Sequence, residues 1–185
     1  MGFHTFDADG ADRLEEASRY RFLSREELIA ALDPAPGDAV ADVGSGTGFY
    51  TDDVAPYVGS VAAIDLQPEM HEYYREKGVP ENVDLITAGS DDVPLPDDSL
   101  DGVFSTMTYH EYPVEDTIAE FGRLLRVGGR IVIADWSANG EGAAGPPVDE
   151  RYAASDAAEA LTDGELEPVR VVERPETFLV VARAP

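Results

Sequence analysis

The sequence contains no cysteine, and its 185 residues include a single lysine, Lys77. Without thiols the chain cannot form a disulfide, bind zinc through thiolates or use a cysteine nucleophile. Positive charge is scarce in general, with 13 Lys and Arg against 38 Asp and Glu and a formal net charge of −25. Because affinity for a nucleic-acid backbone comes from clustered Lys and Arg, we expect no nucleic-acid partner.

Long apolar runs are also missing, and none approaches the length that crosses a bilayer. The first ten residues, MGFHTFDADG, lack the basic-then-apolar order of a signal peptide and the Ser or Thr of a myristoylation site. We therefore expect a cytoplasmic protein that does not insert into membranes. The length predicts one domain over residues 1–185 and leaves the oligomeric state open.

The acidic residues are spread along the whole chain and do not form an acidic tail. Surface carboxylates hold water of hydration, and molar salt screens their mutual repulsion. With 43% hydrophobic residues, the chain has enough apolar side chains to form a globular core despite its charge. This composition predicts a folded, halophilic protein.

Short apolar runs alternate with segments of helical periodicity. The runs contain mostly Val, Ile, Ala and Leu, which is typical of strands covered by helices on both faces. Strands are predicted at 39–43, 60–65, 83–86, 101–105, 130–135, 168–172 and 177–182, and helices at 24–32, 49–58, 67–77 and 114–125. This order predicts an α/β fold with a doubly wound, mostly parallel seven-stranded sheet. The residues ERPE between the last two strands are too few for a crossover, so a C-terminal antiparallel hairpin is predicted.

Two segments lie outside this alternation. Residues 1–37 form a predicted N-terminal helical segment, in which Ser24 and Glu27 have the spacing of a capping box. Residues 137–150, SANGEGAAGPPVDE, follow the fifth strand at the edge where ligands bind in open α/β folds. We expect either a solvent loop or a flexible lid over a substrate there.

The stretch ADVGSGTG places Gly44, Gly46 and Gly48 where the first strand turns into a helix. Glycine permits positive φ and lets a ligand approach the backbone closely. Asp65 ends the next strand, 21 residues after Gly44, and a carboxylate there can accept hydrogen bonds from both hydroxyls of a ribose. The combination predicts a site for an adenosine-containing cofactor.

Two neighbouring residues bear on the identity of this cofactor. A dinucleotide fingerprint needs glycine at its sixth position, which is Phe49 here. Asp42 stands two residues before the first glycine, where a carboxylate would repel a pyrophosphate and attract a cationic amine or sulfonium. Both features favour S-adenosylmethionine over NAD.

Four stretches together resemble the class I S-adenosylmethionine-dependent methyltransferases, in particular the ubiquinone and menaquinone biosynthesis type. They are VADVGSGTG, VAAIDLQPEM, AGSDDVPLPDDSLDGVFS and LLRVGGRIVIADW, and they span roughly residues 39 to 136. The resemblance implies a Rossmann-like fold, S-adenosyl-L-methionine as the cofactor, and transfer of its methyl group to a small-molecule acceptor.

The resemblance also implies roles for individual residues. The glycine loop together with Asp42 would hold the methionine portion of the cofactor, Asp65 the ribose, and Leu66 would pack on the adenine. Members of the family often have a Gly-Asp-Ala stretch whose Asp binds the adenine amino group. Here the stretch is GSDD, residues 89–92, and this region is one residue shorter by count than the family's, so Ser90, Asp91 and a backbone group are alternative adenine contacts.

The acceptor is expected above the carboxyl ends of the fourth and fifth strands. The fourth strand runs into STMTYHEY, where Tyr109, His110 and Glu111 offer a phenol, an imidazole and a carboxylate as candidate catalytic groups. Methyl transfer gains most from alignment, and a base such as His110 matters only when the acceptor must lose a proton. The alternative for His110 is a structural role, capping the next helix or bonding within its loop. The fifth strand brings Asp135 and Trp136 to the same edge, where Trp136 either lines an aromatic acceptor's pocket or closes the core.

The remaining histidines give weaker signals. His71 is predicted on a helix near the surface, and a metal site built from His4, His110 and Glu111 is disfavoured, so we expect no metal. Two other functions stay open at this point: an NAD-dependent oxidoreductase, and a non-catalytic cofactor-binding module.

Overall fold

Seven strands and five α-helices alternate along residues 8–185, the part of the chain that the computed structural model describes. The strands are β1 (Ala39–Val43), β2 (Ser60–Asp65), β3 (Val83–Thr87), β4 (Leu100–Thr106), β5 (Leu125–Trp136), β6 (Glu167–Glu173) and β7 (Thr177–Arg183). The helices are α1 (Arg25–Leu32), α2 (Phe49–Val54), α3 (Pro68–Lys77), α4 (Val114–Leu124) and α5 (Ala154–Asp163), and two short 3₁₀ helices, Ala8–Glu15 and Ala17–Arg21, precede α1. Within this range no helix is long and apolar enough to cross a membrane. His4 and the first seven residues of the predicted N-terminal segment lie outside the described residues.

The seven strands form one sheet in the order β3–β2–β1–β4–β5–β7–β6. The first five strands of this order are parallel to one another. Strand β7 runs antiparallel to both β5 and β6. Only residues 174–176 connect β6 to β7, which is too short for a crossover and leaves these two strands as a hairpin. The predicted doubly wound α/β sheet with a C-terminal hairpin is confirmed.

Two hydrophobic clusters cover the two faces of the sheet. On one face, Leu28 of α1, Tyr50 of α2 and Tyr74 of α3 are buried against the strands. On the other face, Phe121 of α4 and Leu161 of α5 are fully buried. Because helices cover both faces, the central strands need apolar side chains on both sides, which explains their continuous apolar runs.

Helix α5 lies where the sequence patterns predict no helix. Its buried face consists of Ala154, Ala157 and Leu161. Alanine favours the helix through its backbone propensity, and these buried positions recur at the three- and four-residue spacing of an amphipathic helix, so the signal is present in the sequence although the prediction omits it. Strand β5 also begins at Leu125, five residues earlier than predicted, and its pairing with β4 becomes regular only at Arg130.

Two local predictions at helices need correction. Ser24 caps α1, since its hydroxyl accepts a hydrogen bond from the Glu27 N–H at 3.2 Å. The Glu27 carboxylate binds Arg174, however, so the reciprocal half of the predicted capping box is replaced by an ion pair with the β6–β7 connection. The predicted surface position of His71 is wrong, because its side chain is fully buried and its Nδ1 lies 3.2 Å from the Thr87 hydroxyl.

Candidate active site

The glycine loop joins β1 to α2 at the carboxyl edge of the sheet. Gly44, Gly46 and Gly48 all have positive φ, at 74°, 53° and 83°. A Cβ at Gly48 would lie 2.1 Å from the buried Tyr74 ring, and one at Gly44 would lie 2.6 Å from Thr108, so neither position has room for a side chain. At Gly46 the nearest atom would be 3.4 Å away, which means that this glycine is required by its backbone angle more than by its neighbours.

Asp65 links the end of β2 to the glycine loop. One carboxylate oxygen accepts a hydrogen bond from the Gly46 N–H at 2.7 Å, and the other accepts one from the Gln67 N–H at 2.9 Å. Burial raises the pKa of Asp65, although these two backbone bonds oppose the shift. Each carboxylate oxygen can accept a second hydrogen bond, so the pair retains capacity for two ligand hydroxyls.

Asp42 is a buried acid beside the loop with an unused oxygen. Its Oδ2 accepts the Thr51 hydroxyl at 2.6 Å, whereas its Oδ1 and the nearby Ser45 hydroxyl have no partner among the described residues. Burial raises the pKa of Asp42 to about 7, with a further rise from the charge of Asp65. Because buried polar atoms are nearly always paired, these two atoms fit a ligand that supplies hydrogen-bond donors and positive charge.

The N-terminal segment covers the glycine loop, which the sequence patterns do not reveal. The Glu15 carboxylate accepts hydrogen bonds from the Thr47 hydroxyl and from Lys77, whose Nζ is 3.1 Å away. Lys77 also pairs with Asp52 of α2 at 2.9 Å. Arg19 stacks over the Phe49 ring at 5.0 Å. Lys77 thus links the N-terminal segment to α2 and α3. The only feature of the sequence that could have drawn attention to Lys77 is that it is the single lysine of the chain.

The candidate adenine contacts lie in different environments. The Leu66 side chain is 60% exposed, so it is free to pack on a flat ligand. The Ser90 hydroxyl is buried and lies 2.7 Å from the Thr117 hydroxyl of α4. Asp91 is exposed and its carboxylate lies beside Gly89. Of the two, only Asp91 presents its side chain to solvent.

A histidine–aspartate pair occupies the ends of β4 and β5. The Nδ1 of His110 lies 2.9 Å from Asp135 Oδ2 and 3.1 Å from Oδ1, while its Nε2 lies 3.7 Å from the Glu111 carboxylate. Asp135 is fully buried. Burial disfavours a charged imidazole, but the hydrogen bond and charge of Asp135, with the charges of Glu111 and Glu150, outweigh it and raise the pKa of His110. Burial also raises the pKa of Glu111 to about 7.

Tyr109 does not belong to this group in the structure. Its ring is 1% exposed and packs edge-to-face against Tyr112, Tyr152 and Phe178 in the core. Burial raises the pKa of its phenol, which makes proton loss harder. The structure therefore gives no support to Tyr109 as a catalytic group, and its physical role is packing.

Trp136 and the 137–150 loop close the same edge of the sheet. The indole packs on the Phe22 ring, with centroids 4.6 Å apart, and lies directly below Gly145. The buried Arg151 guanidinium donates to the Pro146 carbonyl at 2.6 Å and also pairs with Glu176. Trp136 is thus half-buried in packing contacts, and the loop is fastened to the β6–β7 connection.

A cavity of about 680 Å³ opens between the segment before α1, this loop and the β6–β7 connection. This volume lies in the range of sites for small organic ligands. Aromatic, cationic and acidic groups line it, including Tyr20, Arg21, Phe22, Glu27, Arg174 and Glu176. Thr177, another lining residue, pairs with Trp136 in the sheet, so the cavity lies at the carboxyl edge of β5.

Comparisons with known proteins point to one family. A family model described as a methyltransferase domain matches residues 41–133, just over half of the chain. An uncharacterized methyltransferase of Mycobacterium tuberculosis is 34% identical over 115 residues, which cover 62% of this chain and 46% of that protein. A demethylmenaquinone methyltransferase of a Mycobacterium species is 32% identical over 116 residues, which cover 61% of this chain and 48% of that protein. The chain spans about half the length of these curated relatives.

Among solved structures, a SAM-dependent methyltransferase from Aquifex aeolicus is similar over the whole domain. It matches with a TM-score of 0.88 and 31% identity, covering 98% of this chain and 100% of that chain. The residues matched by the family model include the glycine loop, Asp65 and the turn with His110 and Glu111.

Proposed function

The chain belongs to the methyltransferase domain family, and we propose that it transfers the methyl group of S-adenosylmethionine to a small organic acceptor. Two observations carry this proposal. Asp42 is buried beside the glycine loop with one carboxylate oxygen that has no hydrogen-bond partner among the described residues, and Asp65 accepts a hydrogen bond from the Gly46 N–H of that loop. A cationic, adenosine-containing ligand would bring a positive charge to Asp42 and two ribose hydroxyl donors to Asp65.

In this proposal the protein binds and orients the two reactants. The glycine loop and Asp42 hold the methionine portion, Asp65 the ribose, and Leu66 the adenine, with Ser90, Asp91 or a backbone group as the adenine's polar contact. When bound, S-adenosylmethionine supplies a methyl group on a positively charged sulfur. Alignment of the acceptor with that methyl group accounts for most of the rate enhancement expected of such a site.

The cavity at the carboxyl edge of β5 is large enough for a small organic molecule, although neither the glycine loop nor His110 lines it. Its lining mixes aromatic groups with Arg21, Arg174 and Glu176. The excess of acids over bases argues against a nucleic-acid acceptor, since few cations are available to bind phosphates.

Two finer assignments are part of the proposal. The similarity to a demethylmenaquinone methyltransferase favours the quinone-biosynthesis type, although the match covers only part of that protein. The net charge of −25 favours function in molar salt, where the repulsion between carboxylates is screened. The two other functions considered from the sequence, an NAD-dependent oxidoreductase and a non-catalytic module, gain no support from the comparisons.

The proposal is tested by turnover with labelled S-adenosylmethionine in molar potassium chloride. A panel of phenols, quinols and amines is offered, and release of S-adenosylhomocysteine is followed together with label in the acceptor. We expect transfer to at least one member. Binding of S-adenosylhomocysteine without transfer to any panel member would favour the non-catalytic module.

A further inference from the structure

We propose that His110, held by Asp135, accepts a proton from the acceptor, and that the acceptor is therefore methylated on a hydroxyl oxygen. This inference rests on the proposed methyl transfer and specifies its substrate class as a phenol methylated on oxygen, which is distinct from the ring-carbon methylation of a demethylmenaquinone-type acceptor. An amine in its neutral form already has a free lone pair, whereas a phenolic oxygen becomes a strong nucleophile only as its proton leaves.

The sheet itself brings the pair together. Thr106 near the end of β4 is in register with Ala134 of β5, so the turn after β4 lies beside Asp135. Asp135 then accepts the His110 backbone N–H at 2.7 Å and the Trp136 N–H at 2.8 Å in addition to the imidazole. These two backbone bonds fix the carboxylate, and the carboxylate fixes the ring.

The contact with Asp135 determines which imidazole nitrogen is free. An ionised carboxylate only accepts hydrogen bonds, so Nδ1 must carry the proton of the neutral ring. Nε2 then has the lone pair, and its 3.7 Å separation from the Glu111 carboxylate is too long for a hydrogen bond. Nε2 is therefore available to accept a proton from a third molecule.

The surrounding charges favour a protonated His110. Asp135 is fully buried, and among the described residues its only ion-pair partner is His110. Glu111 on the same turn and Glu150 at the end of the 137–150 loop add negative charge near the ring. A buried carboxylate without a cation is costly, so proton uptake by the imidazole converts an unpaired charge into an ion pair.

The proposed step balances as follows. The acceptor O–H bond breaks and its proton moves to His110 Nε2, while an oxygen lone pair forms the new O–CH₃ bond. The electrons of the broken C–S bond stay on the sulfur of S-adenosylhomocysteine. His110 returns the proton to solvent before the next cycle. Asp135 touches no reactant and is a positioning residue.

The first test needs no acceptor. Nitrogen chemical shifts of the three imidazoles, with His110 assigned from His110→Gln, report the tautomer in the parent protein. The proton is expected on Nδ1 of His110 above its pKa, and this pKa is expected to fall in Asp135→Asn. A proton on Nε2, or an unchanged pKa in Asp135→Asn, would overturn the pairing.

The second test compares two acceptors of different acidity. For an ordinary phenol, His110→Gln should lower kcat by roughly 10²–10⁴-fold, and Asp135→Asn should lower it by at least about tenfold, with little change in KM. For a nitrophenol that is already ionised at the assay pH, the loss in His110→Gln should shrink to a few-fold. Asp116→Asn, an exposed acid in the first turn of α4, is the matched control and should leave both rates within about twofold.

Two results would overturn the assignment of His110 as the base. One is an equal loss for ionised and un-ionised phenols. The other is a panel in which only amines or carbon nucleophiles are methylated. Calorimetric titration with S-adenosylhomocysteine separates these failures from failure of the proposed function, because cofactor affinity should be nearly the same in the parent and in the His110 and Asp135 variants.

Discussion

Replacing Asp42 by asparagine should separate stability from cofactor binding, because the two depend on the buried charge with opposite sign. The pKa of Asp42 rises from 3.8 to about 7 on folding. Between these values the folded state binds more protons than the unfolded state, so stability falls as pH rises through this window and levels off above it. At 1.36 kcal/mol per pH unit, the two units from pH 5 to 7 correspond to about 3 kcal/mol of unfolding free energy lost by the parent at this site.

Asp42→Asn removes this loss, since the amide does not ionise. The difference in unfolding free energy, variant minus parent, should therefore increase by about 3 kcal/mol between pH 5 and pH 9. Other titrating groups contribute equally to both proteins and cancel in the difference. At the same time the variant should bind S-adenosylhomocysteine about 10–100-fold more weakly, the scale for losing a hydrogen bond to a charged group.

The assays are urea unfolding across this pH range in molar potassium chloride and calorimetric titration of the ligand. Asp84→Asn, an exposed acid on β3, serves as the control and should change neither quantity appreciably. If the unfolding free energies of Asp42→Asn and of the parent changed with pH in parallel, folding would not raise the pKa of Asp42. Unchanged ligand affinity would remove Asp42 from the binding site.

Three further predictions concern the loop, the ribose acid and the surface. Gly48→Ala should lower the free energy of unfolding by about 2–4 kcal/mol in urea, because the residue has positive φ and the new Cβ would overlap the Tyr74 ring. Gly46→Ala also has positive φ but more room, and should lower it by only about 1–2 kcal/mol. Equal losses would contradict the packing described at Gly48. Asp65→Asn should weaken S-adenosylhomocysteine binding by about 1–3 kcal/mol in calorimetry, and a variant that binds like the parent would exclude Asp65 from the ribose contact. The melting temperature should rise steeply with potassium chloride up to molar concentration, and a flat response would refute adaptation of the acidic surface to salt.

The sequence was most informative where backbone chemistry and periodicity determine structure. Continuous apolar runs gave the buried strands, and the spacing of the glycine loop and Asp65 predicted a proximity that the Gly46 hydrogen bond displays directly. Such features depend on a few residues within or next to a single strand or helix. They can be read without knowing the rest of the chain.

What could not be predicted depends on contacts between distant segments. The ion pair between Glu15 and Lys77 joins residues 62 positions apart, and no local sequence pattern predicts it. His71 looks like a surface residue of a polar helix until β3 is placed beside it, and Tyr109 looks reactive until three aromatic rings surround it. The partner of His110 was visible as an acid at the end of β5, but only the parallel register of β4 and β5 brings the two side chains into contact.

The most direct test of the central claim, that this site binds the S-adenosylmethionine class of cofactor, is calorimetric titration of the parent protein with S-adenosylhomocysteine and, separately, with NADH, in molar potassium chloride. We predict saturable binding of S-adenosylhomocysteine at one molecule per chain and no heat of binding with NADH. Saturable NADH binding without any heat from S-adenosylhomocysteine would contradict the account.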